Sequence, residues 1–284
     1  MLVTAELAAD IRIHASLHLL GICLMYYDHL LTLDREIEYM WKRVTSSSAL
    51  WFFAIRYAGF AGNIPVTIFT FYEPPLKWYV GRLLFLDHST VIVSIVMVLR
   101  IHALYGRNIW VLAAVLATSL PLLVVVLWST QGQRSDAIDN FPGCHASVSQ
   151  STFVYIAAAW EALFALDTIL FLLVLCRTYA TWRRTGYSTK LPIQTLILCD
   201  GVLYFGAIAV ANLCNILTFY FAGPILAGSL STFASCMSVT MMSRLMLNLH
   251  RQIKGDVLPL DSRPEESMVV FAQYPLRRGE SHLF

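Results

Sequence analysis

The sequence predicts an all-α polytopic membrane protein: a bundle of seven transmembrane helices, its N-terminus outside and its C-terminus in the cytosol. Three observations carry this. Of 284 residues, 57% are hydrophobic and only 13% are charged, about half the charged share of a soluble domain, so a single water-facing core could not hide the apolar surface. Seven stretches approach the roughly 20 mostly apolar residues that a helix needs to cross a bilayer. Lys and Arg are also shared unequally between the two sets of connections, which sets orientation.

The spans fall at about 11–31, 49–71, 83–104, 109–129, 152–176, 192–214 and 222–246. All read as helices, because no segment shows the ten-residue alternation of a membrane barrel. The first twelve residues hold Glu6, Asp10 and Arg12 with no basic leader, so the first span is expected to stay as an anchor. The connections after spans 1, 3 and 5 carry Arg35, Lys42 and Arg43, then Arg100 and Arg107, then Arg177, Arg183, Arg184 and Lys190; six more bases run from Arg244 to the end. The opposite side has Arg12, Lys77, Arg82 and Arg134. Fifteen against four places the former side in the cytosol. Ends on opposite faces require an odd number of crossings.

The membrane domain is assigned to residues 1–254. The remainder, 255–284, mixes Pro, acids and scattered apolar residues and reads as a disordered cytosolic tail, with a candidate partner-binding segment around 268–276. The net charge is +2, with no basic stripe, and nucleic acid is not an expected partner.

Residues 26–43, "YYDHLLTLDREIEYMWKR", put dense charge at the cytosolic end of span 1. From Asp34 to Arg43 this reads as a solvated helical turn, with Arg35–Glu38 and Glu38–Lys42 at pairing distance. Asp28 lies within the span. The ionisable groups inside spans are Asp28, Arg56, Asp87, His88, Glu161, Asp167 and Asp200. Each costs about 2.5–3.5 kcal/mol on insertion scales and is expected to face the bundle interior. Asp87 and His88 fall in the outer part of span 3, and Glu161 near mid-depth. Asp28, Arg56, Asp167 and Asp200 share the cytosolic half, where Arg56 is the single buried base. They form a candidate network centred on Arg56, with Asp28 as its nearest partner, acting either as a structural lock or as a switch or proton relay. Gly201, Gly206, Gly223, Ala227 and Gly228 are expected at close helix contacts, Asn212 and Asn215 in interhelical hydrogen bonds, and Pro65 and Pro121 at kinks.

His14 and His18 in "HASLH" have the i,i+4 spacing that can hold a metal on one helical face. A third ligand would have to come from Asp28, Asp87 or His88, and no "HExxH" occurs. No phosphate loop, "GxSxG" elbow or kinase set appears. No catalytic residue, cofactor or metal is therefore assigned. Of the six cysteines only Cys144 falls in an outer loop; the rest read as small apolar fillers of spans.

Several stretches together resemble a known family. They are the 26–43 tract, "LRIHALYGR" at 99–107, "WEALFALDTILFLLVL" at 160–175, "CDGVLYF" at 199–205 and "MSRLMLNLHR" at 242–251. The pattern is similar to a large family of multi-pass membrane proteins of mushroom-forming fungi, defined by an N-terminal domain of unknown function with a "YDhLLTLDrEiEymWkR" tract. The resemblance covers roughly residues 20–251. It implies seven spans and no assigned activity. Its matching positions are Tyr27, Asp28, Leu31, Thr32, Asp34, Glu36, Trp41 and Arg43; Arg100 and Tyr105; Asp200, Gly201, Tyr204 and Phe205; and Arg244 and Asn248. Relatives carry a cysteine at the start of span 3 that could pair with one in the second outer loop. Here that region reads "YEPPLKWYVGRLL", which leaves Cys144 alone.

The expected function is that of an integral seven-span protein of unassigned activity, with receptor-like sensing as its specific form. An outer ligand or a cytosolic protein would then be its partner, beside the lipid bilayer itself. The plasma membrane is the expected location, an endomembrane the alternative. A transporter or channel built on Arg56, Asp167 and Asp200 is the second reading. A membrane zinc hydrolase using His14, His18 and Asp87 is the third, and a purely structural protein the fourth.

Overall fold

A computed structural model describes residues 2–44, 46–71, 79–131, 135–137, 146–148, 150–185, 193–223 and 226–256. Among them are the helices α1 (Leu2–Leu31), α2 (Leu33–Tyr39), α3 (Ser47–Phe71), α4 (Tyr79–Leu104), α5 (Ile109–Gln131), α6 (Gln150–Thr185), α7 (Ile193–Phe221) and α8 (Ser231–Asp256). A 3-10 turn at Trp41–Arg43 follows α2. Between α5 and α6 a short antiparallel ribbon pairs β1 (Ser135–Ala137) with β2 (Ala146–Val148), Ser135 opposite Val148. The described fold is otherwise helical. The expectations for Cys144 and for the tail beyond 256 lie outside the described residues.

Four helical stretches are long and apolar enough to cross a membrane: Glu6–Leu31, Ile109–Ser129, Val154–Arg183 and Gly201–Phe221. Val91–Leu104 is a shorter apolar stretch. Helices satisfy every backbone polar group internally, as hydrocarbon demands. Their outward faces suit lipid as well. Leu30 (75%), Leu203 (71%), Trp110 (80%) and Phe221 (84%) are largely exposed, as lipid-facing side chains of apolar helices would be.

α8 is the hub: it packs against α1, α2, α3, α4 and α7. This position explains its composition. A helix surrounded by protein need not be apolar all round, and α8 buries Thr232, Ser238, Thr240 and Ser243 beside Val239, Met242 and Leu247. Close packing on α8 comes from glycines on its neighbours. A Cβ on Gly21 would lie 2.8 Å from the Phe233 Cα, and one on Gly59 would lie 2.8 Å from Val239 Cγ1. Among the glycines expected at contacts, Gly206 meets Phe171 at 3.3 Å and Gly201 meets Val174 at 3.7 Å, whereas Gly223 faces nothing within 4 Å. Gly228 instead turns the chain into α8 at φ +69°, under the Phe219 ring.

Helix ends differ from the sequence reading for physical reasons. α6 runs on to Thr185, because Arg177 and Arg183 end an apolar run without ending a helix. α7 continues to Phe221, past the expected end of the span at 214. α8 begins nine residues later than expected, at Ser231. The apolar stretch before it contains Gly223, Pro224 and Gly228, residues that favour turns. Pro65 and Pro121 both lie inside helices.

Candidate functional site: a polar lock joining the first and last helices

The site is built where α1 breaks into α2. Thr32 sits between them at φ −102° and ψ 2°. Its hydroxyl donates to the Asp28 carbonyl at 2.7 Å, which holds the break in place. One turn apart on the same face, Thr32, Glu36 and Met40 are all buried, at 2%, 0% and 0% exposure. Glu36 therefore faces the bundle and not solvent, which corrects the reading of the whole 34–43 stretch as a solvated turn.

Arg56, 1% exposed, reaches this face from α3. Its Nε pairs with Glu36 Oε2 at 2.8 Å. Its Nη1 donates to Thr32 Oγ1 at 2.9 Å and its Nη2 to the His29 carbonyl at 2.7 Å. The Phe52 ring lies 5.5 Å from the guanidinium carbon. Tyr57 OH (2.8 Å) and Trp41 Nε1 (3.1 Å) donate to the other Glu36 oxygen. The Glu36 carboxylate thus has charge compensation at one oxygen and hydrogen bonds at the other, which is what makes a buried ion tolerable. The His29 ring lies 2.9 Å from the Met25 carbonyl and 3.3 Å from that of Arg56, which ties α1 to α3 a second time.

Asp28 is not the ion-pair partner of Arg56. Its Oδ1 accepts from Arg244 Nε of α8, and its Oδ2 is buried with no hydrogen-bond partner. Asp28 is nearly enclosed while the Arg244 side chain is 37% exposed. Two ion pairs thus stand at the same end of the bundle, one joining α2 to α3 and one joining α1 to α8.

The other candidate residues fall elsewhere. Asp167 of α6, 3% exposed, accepts a hydrogen bond from Asn212 of α7. The side chains of Asp200, Asp87, His88 and Arg43 lie outside the described residues. Glu161 accepts from Tyr220, the penultimate residue of α7, so it stands level with that helix terminus. His18 is buried, with Nδ1 3.1 Å from Thr232 Oγ1 and Nε2 3.4 Å from Thr67 Oγ1; its imidazole ties α1, α3 and α8 together. Among the described residues no three His, Cys, Asp or Glu side chains cluster as a metal site.

The remaining family-tract residues divide between packing and surface. Phe205 is buried. Asn248 of α8 donates to Tyr204 OH of α7 at 2.6 Å, and Tyr105 OH donates to the Leu173 carbonyl of α6 at 2.9 Å. Burial pushes the Tyr105 phenol above its ordinary pKa, so it stays protonated and donating. Arg100 Nε is buried without a hydrogen-bond partner. Tyr27, Leu31 and Trp41 are exposed, as is Asp34.

Sequence reasoning missed Glu36 as the counter-ion of Arg56 and Arg244 as that of Asp28. The i,i+4 spacing of Thr32, Glu36 and Met40 was a usable signal for the first. For the second, only the presence of both residues in shared tracts pointed the way.

The model of one family, described as "Family of unknown function (DUF6533)", matches residues 17–61. No curated protein and no solved structure matches the chain. The matched segment runs from α1 through α2 into α3 and contains both members of the Arg56–Glu36 pair, and Asp28 but not Arg244.

Proposed function

We propose that the chain is a seven-span integral membrane protein with a cytosolic C-terminus, and that it acts as a receptor-like sensor whose resting state is held by the α1–α2–α3–α8 lock. The seven spans are α1 and α3 to α8; α2 lies at the cytosolic border. The observation that carries the reading is the pairing of Arg244 with Asp28 beside the Arg56–Glu36 pair. Buried pairs add little net stability, yet breaking one is costly. They therefore suit an element with discrete arrangements that a ligand could bias. The lock joins the first cytosolic segment to the last helix, where a cytosolic partner would read a change.

A transporter is the alternative, favoured by the enclosed Asp167–Asn212 pair. Against it, Arg56 and Asp167 take different partners on different helices, so the polar set expected to form one path is divided.

The test uses protein in lipid nanodiscs. Hydrogen exchange over residues 33–43 is expected to rise in Arg244→Ala and to leave α5 and α6 unchanged. Equal exchange in wild type and variant would remove the lock from the mechanism. Ion or solute flux through wild-type proteoliposomes would favour the transporter. Sequons engineered at each end check the topology: glycosylation is expected at the N-terminal site alone.

A further inference from the structure

α1 and α8 lie side by side and are tied at two levels. At the lock, Arg244 of α8 donates to Asp28 of α1. Further back along α1, His18 is buried. Its Nδ1 lies 3.1 Å from Thr232 Oγ1 in the first turn of α8, and its Nε2 lies 3.4 Å from Thr67 Oγ1 of α3. A hydroxyl both donates and accepts, so either neutral tautomer of the ring is satisfied there. Neither helix is interrupted between its two ties: α1 runs to Leu31, and α8 runs from Ser231 to Asp256. At 1.5 Å per residue the ties stand about 15 Å apart along α1 and about 18 Å apart along α8.

The seam between the two helices leaves no slack. On α1 the buried His18, Met25 and Thr32 recur at every seventh position, and α8 buries Thr232, Cys236, Val239 and Ser243 in steps of four and three. This is the spacing of a coiled-coil seam, in which polar residues fix the register. A Cβ on Gly21 would lie 2.8 Å from the Phe233 Cα, so the backbones touch beside the His18 tie. Between the two ties Asn63 of α3 meets both helices: its Oδ1 accepts from Cys236 Sγ at 3.8 Å, and its Nδ2 lies 3.8 Å from Met25 Sδ. The chain enters α8 through the turn at Gly228, whose N–H donates to Thr218 Oγ1 of α7. Thr232 is one turn further on.

We infer that α1 and α8 form a two-point clamp, and that a displacement of the α7–α8 turn is delivered through Thr232 and His18 to the Asp28–Arg244 pair. Packed helices hold discrete arrangements and do not deform continuously. A shift of α8 along α1 that breaks one tie therefore strains the other, although the two share no side chain. The inference rests on the sensor reading and adds to it the place where a signal enters: the turn between α7 and α8, at the end of the bundle opposite the lock.

The experiment is hydrogen exchange over residues 33–43 of the full chain in lipid nanodiscs. Thr232→Val removes the hydroxyl and keeps the shape. It should speed exchange in that segment about two- to fivefold, up to one net hydrogen bond carried to the lock, whereas Thr232→Ser should stay at the wild-type rate. Added to Arg244→Ala, Thr232→Val should contribute less than its own factor, because the clamp is already open at one end. Sites this far apart ordinarily act independently, so factors that multiply in full would overturn the coupling. Faster exchange confined to the first turn of α8, with 33–43 at the wild-type rate, would overturn it too. That result beside a response to Arg244→Ala leaves the lock standing; no response to either variant removes both. A response to Thr232→Val alone would route the coupling around the Asp28–Arg244 pair and overturn it as stated. If Thr232→Val does not fold, Thr67→Val, which strips the same imidazole from the α3 side, is read in the same way.

Discussion

Arg244 on α8 donates to Asp28 on α1 across 216 residues of chain, so the last helix supplies the counter-charge for the first. Because the Arg244 side chain is partly exposed and that of Asp28 is not, loss of the base is expected to cost more than loss of the acid. Removing Arg244 leaves a carboxylate enclosed, with one oxygen already lacking a partner. Discounted for solvent at the arginine, Arg244→Ala should destabilise by about 1–3 kcal/mol. A double-mutant cycle with Asp28→Asn should show coupling of about 0.5 kcal/mol or more, read by chemical denaturation in mild detergent; strictly additive losses would mean the contact is energetically idle.

Arg56 and Glu36 are enclosed on both sides. Arg56→Met should cost about 3–5 kcal/mol, because the Glu36 charge is then stranded. Adding Glu36→Gln should recover part of that loss. A double variant less stable than Arg56→Met would show that Glu36 is held by something other than Arg56.

Tyr57 and Trp41 share one oxygen of Glu36, and both rings are about half exposed. Tyr57→Phe removes a bond to a charged acceptor and should cost about 1.5 kcal/mol, at the lower end for such bonds. Trp41→Phe should cost no more, since its bond is longer. The loosening should be local, visible as faster exchange in α2 with little change in α5.

Gly21→Ala places a methyl group against the Phe233 backbone, which cannot rotate aside. About 1–3 kcal/mol of destabilisation is expected, as for other overpacked contacts. Gly223→Ala, with open space around it, should be nearly neutral. Comparable unfolding midpoints for the two variants would mean that α1 and α8 separate easily.

Much of the architecture was legible because hydrocarbon imposes a single strong rule on composition. Runs such as 109–129 stand out by themselves, and α5 begins at Ile109 as expected. What hydropathy reports, however, is where lipid ends, and a helix ends where its hydrogen bonding ends. α6 outlasts its apolar run on arginines, and the apolar stretch before α8 is broken by a turn at Gly228. The site was less legible. Arg56 was recognised as the base needing a partner, but the nearest acid within a span was chosen over one in the adjoining charged tract. Glu36 was read as part of a solvated turn, and its neighbours Asp34 and Arg35 are indeed exposed; only helical phase distinguishes it from them. The match of Arg244 to Asp28 is a property of the closed bundle and has no local signature.

The contact order of the two pairs also sets a sequence of events during synthesis. Glu36 and Arg56 leave the ribosome within twenty residues of each other and can meet as soon as α3 has formed. Asp28 must wait until all the helices up to α8 have been translated before Arg244 arrives. A nascent chain stalled before α8 therefore holds a half-made joint: its first two long helices are fastened, and one carboxylate still awaits its cation, a feature by which the cell's insertion machinery could tell an unfinished product from a finished one.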